Sequence, residues 1–165
     1  MDLEIRPDDL TGPEIAELLA DHLREMHQNS PPESVHALDL EALKRPEITF
    51  WSAWSGNQLV GCGALKNLGD GHAEIKSMRT IRAFRGKGVG KLVLRHILNE
   101  VQARGCKRLS LETGSMPAFA AARRLYQSHG FTNCVPFSDY KPDPNSVFMT
   151  LDLTADNPGA DATFS

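Results

Sequence analysis

Residues 85–90 read Arg-Gly-Lys-Gly-Val-Gly and stand between a run patterned as a strand and a run patterned as a helix. No other stretch restricts the possible folds as tightly. Glycines at alternate positions permit a tight turn that aims several backbone N–H groups at one point. A helix beginning straight afterwards adds its own unpaired N–H groups and the positive end of its dipole. Strand, glycine loop and helix start together specify an α/β unit with a phosphate or pyrophosphate site at the junction.

The rest of the chain can be fitted around that junction. Residues 2–6 read as a first strand. Thr11 and Glu14 have the spacing of a capping box, and Ile15, Leu18, Leu19, Leu23 and Met26 follow at helical spacing, to an end near Gln28. Ser30-Pro31-Pro32 breaks the helix, and a short second helix is expected from Asp39 to Lys44. Residues 48–54 and 58–65 form a hairpin about Ser55-Gly56-Asn57, and 72–80 extends the meander. Val89, Leu92, Val93, Ile97 and Val101 mark a helix closed at Arg104-Gly105. Arg108 to Glu112 reads as a strand, Pro117 to Ser128 as a helix ended by Gly130, and Phe131 to Val135 and Ser146 to Leu153 as the last strands. The order β-α-α-β-β-β-α-β-α-β-β predicts a mixed α/β sheet, antiparallel in its hairpins and parallel across the helical crossover, with helices on both faces. The expected organisation is one domain over residues 1–153 and a loose polar tail over 154–165.

Composition narrows the partners. The 165 residues, 41% hydrophobic and 24% charged, suffice for one core. A net charge of −3 speaks against a general nucleic-acid binder. Basic residues gather only locally, at Arg79, Arg82, Arg85, Lys87 and Lys91, as an anion site requires. Cys62, Cys106 and Cys134 contain no C-x-x-C pair and read as free thiols of a reducing cytoplasm. No apolar leader segment or membrane-length run is visible, so no membrane partner is expected. His22 and His27 are five apart, not the four of a helical zinc motif, and no metal site is expected.

The loop does not fit the two common phosphate motifs. Lys91 stands where a dinucleotide fingerprint needs its third glycine, and the Gly-Lys-Ser/Thr of a Walker A loop is missing. The wider context does match. Ala73-Glu74-Ile75-Lys76-Ser77-Met78-Arg79-Thr80, Arg85-x-x-Gly88-x-Gly90 and Leu125-Tyr126-x-x-x-Gly130-Phe131 together resemble the GCN5-related N-acetyltransferase (GNAT) superfamily, over about residues 3 to 153. Pro136-Phe137-x-x-Tyr140 followed by Asp143-x-x-Ser146-x-Phe148-Met149 resembles a bacterial subgroup of poorly defined substrate.

That resemblance implies a GNAT-like acyl-CoA N-acyltransferase fold, with acetyl-CoA as cofactor and transfer of the acetyl group to a primary amine by direct attack. The amine could belong to a small molecule, an amino acid or a protein. No cysteine occupies a motif position that would support a covalent route. The resemblance places the backbone of Arg85, Gly86, Lys87, Gly88, Val89, Gly90 and Lys91 around the pyrophosphate. The side chains of Arg85 and Lys87 either reach further phosphate oxygens or form a solvated rim. Met78 and Thr80 would line the pantetheine, and the strand Ser110 to Glu112 would splay away to admit it. Dimerisation is common in the family, and a homodimer is possible here.

Acetyl transfer needs a base, because a free amine near pKa 10 is mostly charged at neutral pH. It also needs a donor for the oxyanion, for which the N–H near Met78 is a candidate, and an acid for the leaving thiolate. Tyr126 is the candidate acid, on a helical stripe with Ala122 and Phe119 that would face the cofactor. Many relatives carry Asn where this chain has Phe119. Glu74, eleven residues before Arg85, matches the catalytic glutamate of histone-acetylating members, with a structural ion pair to Lys76 as the competing role. Glu112 is the second choice for the base. His22, Met26, residues 29–36 and Tyr140 are expected around the acceptor, and Asp143 could offer it charge. A non-catalytic acetyl-CoA sensor or regulatory module is the rival reading, and a nucleotide-binding domain of another class is disfavoured by the missing motif positions.

Overall fold

A computed structural model describes residues 2–32 and 40–154. Its elements follow the expected order: β1 (Leu3–Pro7), α1 (Pro13–Asn29), α2 (Leu40–Leu43), β2 (Ile48–Ser55), β3 (Gln58–Gly69), β4 (His72–Thr80), α3 (Val89–Ala103), β5 (Arg108–Gly114), α4 (Ala120–Ser128), β6 (Thr132–Cys134) and β7 (Ser146–Asp152). The strands form a seven-stranded sheet ordered β1-β2-β3-β4-β5-β7-β6. Pairing is antiparallel except between β4 and β5, which the α3 crossover makes parallel. Asp39, His36 and the tail beyond Thr154, on which several expectations fall, lie outside the described residues.

Two apolar clusters sandwich the sheet. Val89, Val93, Leu94, Ile97 and Val101 of α3 pack on one face, with Tyr126 of α4 and Phe131 beside them. Leu94 takes the buried place expected of Leu92, which is half-buried. α3 can approach closely because β3 turns glycine toward it: a Cβ on Gly63 would lie 2.6 Å from Val93 Cγ1 and 2.8 Å from Met78 Sδ. On the other face Ile15, Leu18 and Leu19 of α1 and Leu43 of α2 cover Phe50, Cys62 and Ala64.

The α1 stripe then changes its work. Residues 15, 18 and 19 fill the core, whereas His22, Glu25, Met26 and Asn29, at continuing helical spacing, form the wall of a cleft. The helix does not begin with the expected capping box. Its N-cap is Gly12 with Pro13 at the first position, and Thr11 Oγ1 donates instead to Asp9 Oδ1 at 2.6 Å. Proline at that position loses no intrahelical bond and has its φ already set for a helix, so it favours a start there.

One irregularity decides which side chains enter the cleft. Lys76 pairs with Ala64 and Arg79 with Cys62, so two residues of β4 oppose one of β3. Ser77, at φ 57°, is the extra residue of this bulge. The bulge resets the alternation, and Glu74, Lys76 and Arg79 share the α1 face while Ile75 and Met78 pack with the α3 cluster.

Candidate active site

β4 and β5 are paired only from His72↔Arg108 to Ile75↔Leu111. Beyond that, β4 stays with β3 to Thr80, and Glu112 to Gly114 stay with β7. The strands part at Glu112, two residues later than a splay starting at Ser110. The gap is a cleft of about 650 Å³ running from the glycine loop to Tyr140. Its lining brings together Glu74, Met78, Thr80, Arg85, Gly86, Gly88, Val89, Gly90 and Lys91 with Phe119, Ala122 and Tyr126, and these with His22, Met26, Glu112 and Tyr140. Lys87 is the exception. Its ammonium lies over the Phe84 ring, 5.2 Å from the centroid, and not in the lining.

At the glycine end the ligand-facing surface is backbone. Gly88 caps α3 at φ 88°, and Gly86 has φ 77°. A Cβ on either would meet nothing within 4 Å, so these positions need glycine for backbone conformation and not for space. The N–H groups do not all point outward. Those of Arg85 and Lys87 are spent inside the turn, on Arg82 O at 3.2 Å and Phe84 O at 3.3 Å. Leu92 N–H closes the first α3 bond on Gly88 O at 3.0 Å, which leaves Val89, Gly90 and Lys91 N–H without helical acceptors. The Arg85 side chain turns away from the loop, donating from Nη2 to Glu25 Oε1 at 2.9 Å.

Tyr126 forms the opposite wall. The Leu-Tyr-x-x-x-Gly-Phe motif is a helix terminus read as sequence. Gly130, at φ 94°, donates its N–H to Gln127 O, and Phe131 donates to Tyr126 O. This is a Schellman closure, and its apolar contact is the Tyr126–Phe131 ring pair with centroids 5.7 Å apart. The closure fixes Tyr126 at 5% exposure. Burial pushes its phenol well above the ordinary value, so the proton stays on at neutral pH. Its hydroxyl makes no hydrogen bond among the described residues. Phe119 packs its ring over Gly114, and Arg123 Nη1 ties down this turn through Gly114 O at 2.6 Å and Met116 O at 3.1 Å.

Glu74 is 2% exposed and does not stand alone. Tyr140 Oη donates to Glu74 Oε2 at 2.6 Å, Lys76 Nζ lies 3.2 Å from the same oxygen, and Lys76 Nζ donates to Tyr140 Oη at 2.9 Å. The ion pair with Lys76 and the position in the cleft are thus both realised. Burial foremost, then the Glu74 charge and hydrogen bond, raises the Tyr140 phenol far above its usual value. Phe137 and Phe148 pack against the Tyr140 ring at centroid distances of 5.2 and 5.5 Å and hold it over Glu74. Glu112 Oε2 accepts from Ser146 Oγ at 2.7 Å. Asp143 is taken up by the hairpin, accepting Asn145 N–H at 2.8 Å, and does not line the cleft.

Beside the expected His22 and Met26, the α1 wall holds Glu25, which sequence spacing did not single out as a site residue. Glu25 bridges two guanidiniums, Arg79 Nη1 at 2.5 Å and Arg85 Nη2 at 2.9 Å. Burial alone would raise the Glu25 carboxyl, but the hydrogen bonds and charges of Arg85 and Arg79 hold it below its ordinary value. Burial and then the Arg79 charge push His22 down to about 4. The only sequence signal for this cluster was local basicity. The bulge that brings Arg79 round has no motif.

Known proteins resemble the chain throughout. Residues 13–131 match the family model described as the acetyltransferase (GNAT) family. An uncharacterized N-acetyltransferase of Bacillus subtilis (strain 168), YsnE, is 59% identical over 92% of this chain and 100% of its own length. A second, YedL of Escherichia coli (strain K12), is 52% identical over 93% of this chain and 96% of its own. The crystal structure of a Bacillus subtilis acetyltransferase in complex with CoA superposes with a TM-score of 0.66, at 19% identity, covering 93% of this chain and 100% of that one.

Proposed function

The chain belongs to the acetyltransferase (GNAT) family, and from that premise we propose how its cleft divides the work of an acetyl-CoA-dependent N-acetyltransferase. The residues fit the cofactor. Side-chain-free glycines with outward N–H groups suit a pyrophosphate, and the open β4 edge beyond Ile75 offers unpaired strand groups to an amide-bearing pantetheine. When bound, acetyl-CoA supplies an activated acyl group and a thiolate leaving group.

The α3 N-terminus, through Gly86, Gly88, Val89, Gly90 and Lys91, holds the pyrophosphate by backbone. Met78 and Thr80 would position the pantetheine, Phe119 and Ala122 would line it, and the Met78 N–H would be the donor for the acyl oxygen. Glu74 takes the proton of the incoming primary amine through a water, with Tyr140 orienting the carboxylate. Tyr126 keeps its proton for the departing sulfur. His22, Met26 and Glu112 line the acceptor's approach. Residues 1–153 act as one domain, and two copies associate as a homodimer, which would sediment at twice the chain mass. The free cysteines suit a cytoplasmic setting. Among the described residues no helix is long and apolar enough to cross a membrane.

The observation that carries this reading is the convergence of Glu74, Tyr126 and the glycine loop on one cleft. Thiol release from acetyl-CoA across a panel of primary amines tests it. Release with at least one class of amine, abolished or strongly slowed in Glu74→Gln, is expected. Tight CoA binding with no release for any amine would overturn it in favour of a non-catalytic module.

A further inference from the structure

The α1 wall carries a charge arrangement that acetyl transfer to an amine does not by itself require. Among the described residues one carboxylate, Glu25, serves two guanidiniums, Arg79 and Arg85, which together carry one positive charge more than it balances. His22 beside them contributes no charge at neutral pH. Arg79 is only 13% exposed. Its Nη1 meets Glu25, and Nε is the guanidinium nitrogen left buried without an acceptor among the described residues. A guanidinium whose sole task was to tie β4 to α1 would have its planar fork filled, because an unmatched buried donor is costly. An incompletely matched cation in the wall of a cleft is completed by an anion.

The position of Arg79 says which anion. The bulge at Ser77 places Lys76 and Arg79 opposite Ala64 and Cys62, two positions apart on β3, so their Cα atoms are separated by about 7 Å along one face. An amine near the Glu74–Lys76–Tyr140 group and an anion on Arg79 would thus lie within the reach of one small molecule. Arg85 Nη2 donates to the other oxygen of the same Glu25 carboxylate, Oε1, so its side chain is already directed toward this spot.

We propose that Arg79, with Arg85 behind it, binds a carboxylate on the acetyl acceptor, so that the acceptor is a free amino acid or a similar small amino-carboxylate and not an amine of a protein chain. This rests on the amine-acetylation reading above and narrows it. Glu25 holds the two guanidiniums in place and is not displaced, since the pair has donors to spare.

The experiment uses matched acceptors: amino acids, each beside the amine that lacks its carboxylate. With wild type, kcat/KM should favour the carboxylate member by about 100-fold. Arg79→Gln should collapse that preference to within about threefold, chiefly through KM. Arg79→Lys should restore part of it. Glu25→Gln, which keeps the shape and adds net positive charge, should lower KM for the carboxylate member several-fold at low salt. Thermal shift in the presence of CoA gives a readout free of turnover: amino acids should raise Tm of wild type and of Arg79→Lys, but not of Arg79→Gln.

Equal use of both members by wild type, or an equal loss for both in Arg79→Gln and Arg79→Lys, overturns the proposal while leaving amine acetylation standing. Failure of every amine to release thiol, with Arg79-dependent amino-acid binding intact, would sink amine acetylation and keep the carboxylate site.

Discussion

The two ends of the cleft are made of different material. At the α3 end the surface offered to a ligand is backbone, N–H groups set by Gly86 and Gly88 within one contiguous loop. At the α1 and Tyr140 end it is side chains that meet from afar: Tyr140 reaches Glu74 across 66 residues, and Arg85 reaches Glu25 across 60. A backbone site tolerates changes of neighbouring side chains but not of glycine. A side-chain site behaves in the opposite way, and each pair in it depends on the whole fold to bring the partners together. The first kind suits the phosphate part of a cofactor, and the second suits an acceptor recognised by its own functional groups.

Substitutions can break or sharpen that contrast. The largest effect is expected from Glu74→Gln, with kcat down by about 10²–10³ and acetyl-CoA affinity nearly unchanged, measured by initial rates and calorimetry. Equal losses of kcat and cofactor affinity would mean that the two ends are not separable. Tyr126→Phe should lower kcat by about 10- to 100-fold. Tm and acetyl-CoA affinity should not move, because the hydroxyl makes no hydrogen bond among the described residues. Full activity at every pH would remove Tyr126 from the acid role.

Gly88→Ala tests the backbone end. Forcing a Cβ into the left-handed region costs about 1–2 kcal/mol, so CoA should bind roughly 5- to 30-fold more weakly. KM for the acceptor should stay level. Lys87→Ala, whose ammonium sits on Phe84, should change CoA binding by less than about twofold.

A separate effect concerns stability and not catalysis. His22 falls from 6.5 to about 4 on folding, so between those values the unfolded chain binds more protons than the folded one. Stability is therefore full above pH 6.5 and declines as pH falls toward 4, by at most roughly 3 kcal/mol. Urea titrations at pH 7 and pH 5 should show this loss in wild type and a smaller one in His22→Asn. An unchanged slope would mean that His22 is open to water.

Much of this was legible in the chain. The order of elements, the strand limits His72 and Thr80 and the start of α3 at Val89 follow from period and glycine placement, which are local. The Leu-Tyr-x-x-x-Gly-Phe motif was legible as a signature, and its structural cause is a helix closure whose hydrogen bonds span only a few residues. The capping box at Thr11 failed locally too, because Asp9 competed for the hydroxyl and Pro13 started the helix without it.

Local periodicity therefore fixed which segments became strands and helices, and with them the backbone cradle at the α3 start, because turns, caps and glycine conformations are decided within a few residues. Tertiary structure decided the rest. Strict alternation along β4 would have sent Arg79 to the α3 face with Ile75. The extra residue at Ser77, accommodated opposite Gly63, returned it to α1 and Glu25. Which charges share a pocket depends on register and on chain segments dozens of residues apart, and no local pattern carries that.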